Sequence, residues 1–442
     1  MNHSNEQPEK VCSCGRIHPL PIKEIVVERG ALQQLSGCRE RLGFGKKALL
    51  IADRNTMDLA GREAERILRE DGCEVRVCLF DTDQKIIPNE QSLIKVLTEF
   101  DAATDFMVAA GSGTLNDLAR YISSKVGRGY ISLLTAPSMD GYTSVVAPLV
   151  INGFKKPWPA TYPTAVYADP AILRNAPLAM IAAGFGDLIG KVIGRADWVL
   201  SKIINGEYYC QQAVDLVQKT VDECIAGAGR FITRDEAAIA SLTRGLIDAG
   251  IAMLWVGNSR PASGSEHLLA QFWEMKSIMR GEFKHFHGDE VAVGTVLMSK
   301  LYAKLFTLDL SRVDLERAAD RLSNRGRWEA MVKDVYGPLA GEVFKENEPR
   351  SFARQDVLAG IERAVNTAEE WRSAIQAFML SPEYLTEMLR KVGAPYRPED
   401  LDLDKARTRE GVLASQASRM RYTILETADQ LGCLEELADE IC

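Results

Sequence analysis

Apolar and polar positions along the chain follow two patterns, and the change comes near residue 177. Between about residues 20 and 175, short β-branched or apolar runs alternate with amphipathic stretches. Residues 25–27, 48–52, 75–80, 106–110, 130–134 and 165–168 read as strands, and residues 61–71, 89–100 and 115–126 read as helices between them. Such alternation argues for a parallel sheet wrapped by helices, with ligands received at the strand-end loops. A proline-spaced stretch, Pro157-Trp158-Pro159-Ala160-Thr161-Tyr162-Pro163, reads as a crossover between domains. From Leu178 strand signals vanish. Residues 178–206, 208–228, 234–256, 265–280, 288–306 and several stretches after 312 carry helical periodicity with few prolines. The expected organisation is an α/β N-terminal domain, residues 1–177, followed by an all-α C-terminal domain, residues 178–442.

A length of 442 residues supports that division, since single cores stop growing well below it. The net charge of −8, with Lys and Arg interspersed among Asp and Glu, lacks the electrostatic footprint of a nucleic-acid binder. No stretch approaches eighteen uninterrupted apolar residues, and the polar opening of residues 1–10 lacks the apolar core of a secretory signal. No membrane span and a cytoplasmic location are therefore expected. Nine cysteines is an odd count, and Cys38, Cys73, Cys78, Cys210, Cys224 and Cys433 stand singly, as reduced thiols do. Cys12-Ser13-Cys14-Gly15-Arg16-Ile17-His18 differs: it offers two thiolates and an imidazole within seven residues, enough to hold a metal if a fourth ligand comes from elsewhere. Local hairpin or surface packing is the plainer reading.

Three places carry candidate chemistry in the first half. Ala109-Ala110-Gly111-Ser112-Gly113-Thr114-Leu115-Asn116-Asp117 runs from a strand through a small-residue turn into a helix, where glycines let amides approach a diphosphate and the helix N-terminus favours the anion. An ordinary strand-to-helix turn has the same composition, and the GxGxxG pattern is absent. Asp53 ends the strand 48–52, where a carboxylate can bind an adenosine ribose and repel a 2′-phosphate; a plain turn with Arg54 and Asn55 is the alternative, and Arg54 leaves NADP possible. Thr135-Ala136-Pro137-Ser138-Met139-Asp140-Gly141-Tyr142-Thr143-Ser144 sets hydroxyls and a carboxylate at the end of another strand.

In the second half, two of only five histidines, His267 and His287, stand twenty apart downstream of Gly184-Phe185-Gly186-Asp187. An Asp/His/His set suits one divalent metal that keeps open positions. Asp187 alone reads more simply as a first-turn capping residue of a long helix. Gln271 shares a helix face with His267, His287 opens the next helix, and antiparallel neighbours would bring both imidazoles together. His285, two residues before His287 in a non-helical stretch, should point elsewhere.

With these residues in place the chain resembles the metal-dependent branch of the iron-type alcohol dehydrogenase and dehydroquinate synthase superfamily. It is most similar to the members that reduce dihydroxyacetone phosphate to sn-glycerol 1-phosphate. The resemblance runs over about residues 20–300 through Gly111-Ser112-Gly113-Thr114 with Asp117, the segment 135–141, Gly153-Phe154-Lys155-Lys156-Pro157, Ala183-Gly184-Phe185-Gly186-Asp187-Leu188 and His287-Gly288-Asp289-Glu290-Val291-Ala292. It implies a Rossmann-like domain joined to a helical one, the dehydroquinate synthase-like fold. It also implies a metal, nickel or zinc, held by Asp187, His267 and His287, where dehydroquinate synthases carry a Glu at the first position.

NAD(H) or NADP(H) would be held by Asp53, Gly113, Thr114, Leu115, Asn116, Asp117, Thr135, Ala136, Pro137, Ser138 and Ser144, and substrate hydroxyls by Asp140, Asp187 and Gln271. Thr114 stands where glycerol dehydrogenase relatives have a Lys, and Lys155, Lys156 and Lys191 are candidates for a substrate phosphate. The resemblance further implies a homodimer and a product destined for phospholipid or ether-lipid precursors. A glycerol or other polyol dehydrogenase is the nearest alternative, and a non-catalytic nucleotide sensor a more distant one.

Overall fold

A computed structural model describes residues 11–282 and 284–442 of the chain; the polar opening, residues 1–10, lies outside the described residues. Eight strands form: β1 Glu24–Val27, β2 Lys47–Asp53, β3 Glu74–Phe80, β4 Phe106–Gly111, β5 Gly129–Leu134, β6 Val146–Ile151, β7 Phe154–Pro159 and β8 Ala165–Ala168. Six of them make one parallel sheet in the order β1-β8-β5-β4-β2-β3. The two-residue side-chain period divides each strand between two cores. Along β2, Ala48, Leu50 and Ala52 join one cluster with Val108 and Ile131, while Leu49 and Ile51 join the other with Met107 and Tyr130. Burial on both faces is why these strands read as continuous apolar runs.

The chain leaves β2 toward β3 on one side and β4 toward β5 on the other, so the order reverses between β2 and β4. Ligands of doubly wound sheets lie in the crevice at the carboxyl ends of such a pair, and here those ends are Asp53 and Gly111.

Strands β6 and β7 form a separate antiparallel hairpin with Ile151 opposite Phe154. Its turn is Asn152-Gly153, both at positive φ (53° and 75°), the conformation that two-residue hairpins favour. This corrects the reading of residues 157–163 as a crossover: Pro157 and Pro159 lie in β7, and β8 then returns to the main sheet. Prolines argue against a strand because they cannot donate to a ladder, but a two-stranded ribbon is nearly all edge, and Pro148 and Pro157 sit opposite one another in it.

Nine helices bear on the argument: α1 Arg62–Glu70, α2 Glu90–Glu99, α3 Gly113–Val126, α4 Leu178–Ile189, α5 Lys191–Asn205, α6 Gln211–Ala226, α7 Glu236–Val256, α8 Ser265–Arg280 and α9 His287–Thr307. The expected helix over 178–206 is divided at Gly190 into α4 and α5. Among the described residues no strand follows Ala168.

Two compact units emerge, and their division differs from the change of secondary structure at 177. The first takes the described part of Met1–Leu188 together with Gln211–Ser259 and Lys391–Gly393; the second takes Ile189–Cys210, Arg260–Arg390 and Ala394–Cys442. Helix α7 explains why helical residues join the first unit. It packs on β1, and Thr143 Oγ1 donates to the Ile247 carbonyl at 2.7 Å. A Cβ at Gly250 would come within 2.2 Å of that hydroxyl oxygen, so the approach requires glycine. Among the described residues α7 alone is long and apolar enough to cross a membrane, but 72% of its apolar window is buried, as in a core helix.

Candidate active site

Strand β4 ends at Gly111 and Ser112 stands at the N-cap of α3. The amides of Gly113, Thr114 and Leu115 open the helix where no intrahelical acceptor exists, at the positive end of a fourteen-residue dipole. Asn116 is 1% exposed, and neither atom of its side-chain amide has a hydrogen-bond partner among the described residues. A buried amide left over in this way fits a place where a polar ligand completes the bonding.

Asp117 is tied into the protein itself. Arg120, fully buried, donates from Nη1 to Asp117 Oδ1 at 2.7 Å and to the Val146 carbonyl at 3.0 Å, and from Nη2 to the Gly141 carbonyl. Burial pushes the Asp117 carboxyl up to about 7, with the Arg120 charge opposing the rise. The pair fastens α3 to the loop after β5. Asp53 likewise has a local role: its Oδ1 accepts Thr56 N–H at 2.8 Å, and its own N–H reaches Thr56 Oγ1 at 3.0 Å, a reciprocal cap. Arg54 is held between Asp81 and Asp83, at 2.7 and 2.5 Å.

The loop after β5 is anchored at its start, where Thr135 N–H donates to the Gly111 carbonyl at 3.2 Å. Thr135, Ala136, Pro137, Ser138 and Ser144 are all buried, and Tyr142 Oη donates to the Ala136 carbonyl at 2.5 Å. Helix α4 lies directly on this loop. A Cβ at Gly184 would come within 1.8 Å of the Pro137 carbonyl oxygen, so no other residue fits without moving backbone. One turn further along α4, Asp187 is fully buried and its Oδ2 accepts Asp140 N–H at 2.9 Å.

This corrects the first-turn reading of Asp187, which stands near the C-terminal end of α4 rather than its start. A carboxylate there opposes the helix dipole and needs other partners.

The histidines are set by two helices of the second unit. Asp197 Oδ2 accepts Ser265 N–H at 2.6 Å and starts α8, whose third residue is His267. Its Nδ1 lies 2.6 Å from Glu266 Oε1. His287 opens α9, with Nδ1 3.2 Å from Glu274 Oε1, and the two imidazole centroids are 5.2 Å apart. Because α8 rises about 20 Å between His267 and its end, a tight hairpin would have kept the rings apart. His287 nonetheless comes level with Glu274, two turns along α8 from His267. Gly294 lets α9 cross close to the start of α8, since a Cβ there would approach the Glu266 carbonyl to 2.8 Å.

Glu266 and Glu274 are the residues the sequence reading missed. Their carboxylates are buried, at 0% and 1% exposure, and each accepts the imidazole Nδ1–H, which leaves Nε2 as the ligand nitrogen. Adjacency in sequence for Glu266 and a seven-residue spacing for Glu274 were the available signals. Gln271 lies half-buried one turn after His267. His285 is 3.7 Å from Asp402 and stands outside the set. Asp187 belongs to the first unit and the two histidines to the second. Two imidazoles backed by carboxylates are donors that fit a borderline divalent ion such as zinc, nickel or iron.

Comparison with known proteins shows the family. Residues 26–177 match the family model of iron-containing alcohol dehydrogenase. The chain is 30% identical over 428 residues to a glycerol-1-phosphate dehydrogenase (NAD(P)+) of Bacillus licheniformis, covering 96% of this chain and 94% of the relative. It is 31% identical over 429 residues to the enzyme of the same description from Geobacillus thermodenitrificans, covering 96% and 97%. Glycerol dehydrogenase from Schizosaccharomyces pombe superposes with a TM-score of 0.60 over 96% of this chain and 92% of that one, at 15% identity. That likeness concerns the fold, and the α/β domain followed by helices expected from the sequence is the fold shared.

Proposed function

Because the chain belongs to the glycerol-1-phosphate dehydrogenase family, we propose that it reduces dihydroxyacetone phosphate to sn-glycerol 1-phosphate, reversibly. The hydride donor is NADH or NADPH, and one divalent metal, nickel or zinc, is held by Asp187, His267 and His287. The observation that carries this reading is the pair of imidazoles with ring centroids 5.2 Å apart, each backed by a buried carboxylate. When bound, the ion supplies Lewis acidity at the substrate carbonyl and stabilises the charge that develops on its oxygen.

The chain's own residues do the rest. Glu266 and Glu274 hold both Nδ1 protons and fix the imidazole planes, so the ligand set is organised beforehand. The first-turn amides of α3, the buried Asn116 amide and the hydroxyls of Thr135, Ser138 and Ser144 bind the dinucleotide, with its pyrophosphate at the helix N-terminus. The capped Asp53 meets the ribose, and the capture of Arg54 by two carboxylates favours NADH over NADPH. Asp140 and Gln271 orient the substrate hydroxyls. Water or a substrate hydroxyl delivers the proton to the reduced oxygen, so no histidine acid is required. The phosphate falls to Lys155, Lys156 or Lys191; the right one, changed to Ala, raises KM for dihydroxyacetone phosphate with kcat preserved.

The decisive assay is NADH consumption with dihydroxyacetone phosphate after chelation and re-addition of single metals. Restored turnover, with a product that sn-glycerol-3-phosphate dehydrogenase does not oxidise, supports the proposal. Turnover of unphosphorylated glycerol with none of dihydroxyacetone phosphate would replace it by the polyol dehydrogenase reading.

A further inference from the structure

Independently of the proposed reaction, we propose that Cys14, activated by His18, exchanges with low-molecular-weight disulfides of the glutathione kind. Cys12 completes the exchange by forming a Cys12–Cys14 disulfide. All three residues belong to the first unit, as does α7, which holds them. Cys14 Sγ lies 3.2 Å from His18 Nε2, close enough for the imidazole to take the thiol proton. A cysteine attacks sulfur as the thiolate, and a neighbouring imidazolium stabilises that form. Cys14 N–H donates to Cys12 Sγ at 3.5 Å, which favours the thiolate of the second cysteine as well.

The turn that carries these groups is built locally. Gly15 N–H donates to the Cys12 carbonyl and Cys12 N–H to the Arg16 carbonyl, both at 2.8 Å, so both cysteines stand in one tight turn. Gly15 closes it at φ 83°, where a side chain would be strained. The two sulfurs and the His18 ring nitrogen lie within 4.8 Å of one another, and rotation of the cysteine side chains brings the sulfurs to bonding distance. Helix α7 anchors the turn: Arg16 donates to the Val256 carbonyl at 3.3 Å, and the His18 ring stacks on Trp255 with centroids 5.4 Å apart. The imidazole is thus set beside Cys14 before any reagent arrives.

Exposure makes the site selective. Cys12 and Cys14 are half-buried between exposed Ser13 and Gly15, within reach of a small disulfide. Cys38, Cys78, Cys224 and Cys433 are buried. Burial pushes the Cys38 and Cys224 thiols up to about 12 and those of Cys78 and Cys433 up to about 11, so they stay protonated at neutral pH. In the first step His18 Nε2 takes the Cys14 proton, the Cys14 sulfur bonds one sulfur of the reagent, and the reagent's S–S bond breaks. The half released leaves as a thiolate and takes up that proton. The Cys12 sulfur then displaces the half still attached to Cys14, which leaves as a second thiol carrying the Cys12 proton. Two protein thiols are oxidised and one external disulfide is reduced to two thiols.

The test treats the full chain, reduced and then separated from reductant, with oxidised glutathione near neutral pH, and follows intact and peptide masses. The protein should lose two hydrogens from the peptide that carries Cys12 and Cys14. Cys12→Ser should stop at a stable mixed disulfide between Cys14 and glutathione, and Cys14→Ser should stay unmodified over the same time. His18→Ala should slow the first step by roughly tenfold, the scale set by the thiolate fraction of an unassisted thiol, and its rate should keep rising with pH toward about 8.5. A His18 that only packs on Trp255 would leave that pH profile unchanged. Alkylation of the unaltered protein needs no variant, so a misfolded Cys14→Ser leaves the result readable: iodoacetamide should label Cys14 first, and faster than in the urea-unfolded chain. Overturning outcomes are a Cys14 no faster than in the unfolded chain, a pH profile unaltered by His18→Ala, or a metal ion retained through chelation that shields both thiols. None of these readouts involves turnover or the metal proposed at Asp187, so failure here leaves the proposed reaction standing, and the reverse.

Discussion

In the turn after β4 the groups offered to a ligand are mainly backbone amides, whereas at the starts of α8 and α9 they are imidazoles. The first region gets its geometry from glycines, which let α3 begin at once and let α4 lie on the Pro137 carbonyl. The second gets it from a layer of buried acids: Asp197 starts α8, and Glu266 and Glu274 hold the rings. Backbone-built sites tolerate most side-chain changes and fail where a Cβ cannot fit. Side-chain-built sites fail when either the ligand or the acid behind it is removed.

The largest expected effect tests the second region directly. His267→Ala should lose the metal proposed at Asp187 and cut kcat/KM by at least about a thousandfold, the scale of losing several kcal/mol of charge stabilisation; full retention of that metal and rate would sink the proposed site. Glu266→Gln or Glu274→Gln should weaken metal affinity by roughly 10–100-fold, read by competition with a chelator. If both bind metal like the unaltered protein, the acids are only packing.

In the first region, Gly184→Ala should lower stability by about 1–3 kcal/mol through overpacking, measured from denaturant midpoints. It should also disturb Asp187, one turn away on the same helix. Thr114→Ala, which leaves the amide in place, should change KM for NADH by less than about threefold if the turn works through its backbone.

The smallest effect concerns pH. Burial, then the nearby Glu266 charge, pushes Asp197 from 3.8 to about 6. A raised carboxyl pKa means the folded state binds the extra proton, so this contribution to stability is full below about pH 4 and is lost as pH rises to about 6. Denaturant titrations from pH 4 to 7 should show a shallower decline in Asp197→Asn. An unchanged slope would mean the acid layer does not titrate as its burial suggests.

Much of this architecture was legible in the sequence, because strands buried on both faces and long amphipathic helices leave strong periodic patterns. The β6–β7 hairpin was missed although Asn152-Gly153 marked its turn, since three prolines in its strands outweighed that signal. Asp187 was placed at the wrong end of its helix: the glycines before it suggested a start, whereas Gly184 serves a close approach in the helix interior. Glu266 and Glu274 look in sequence like any acids on a helix, and nothing local tells that they are buried against imidazoles.

What the sequence by itself determined is the order and kind of elements, the glycine turn at the end of β4 and the scarcity that made His267 and His287 stand out. These are local properties, set by periodicity, backbone freedom and residue type. Only the tertiary structure decided which groups share a site. The glycine crossings at Gly184 and Gly294 and the arrival of His287 beside Glu274 join residues far apart along the chain. Such juxtapositions depend on how whole elements pack, and no short stretch of sequence encodes them.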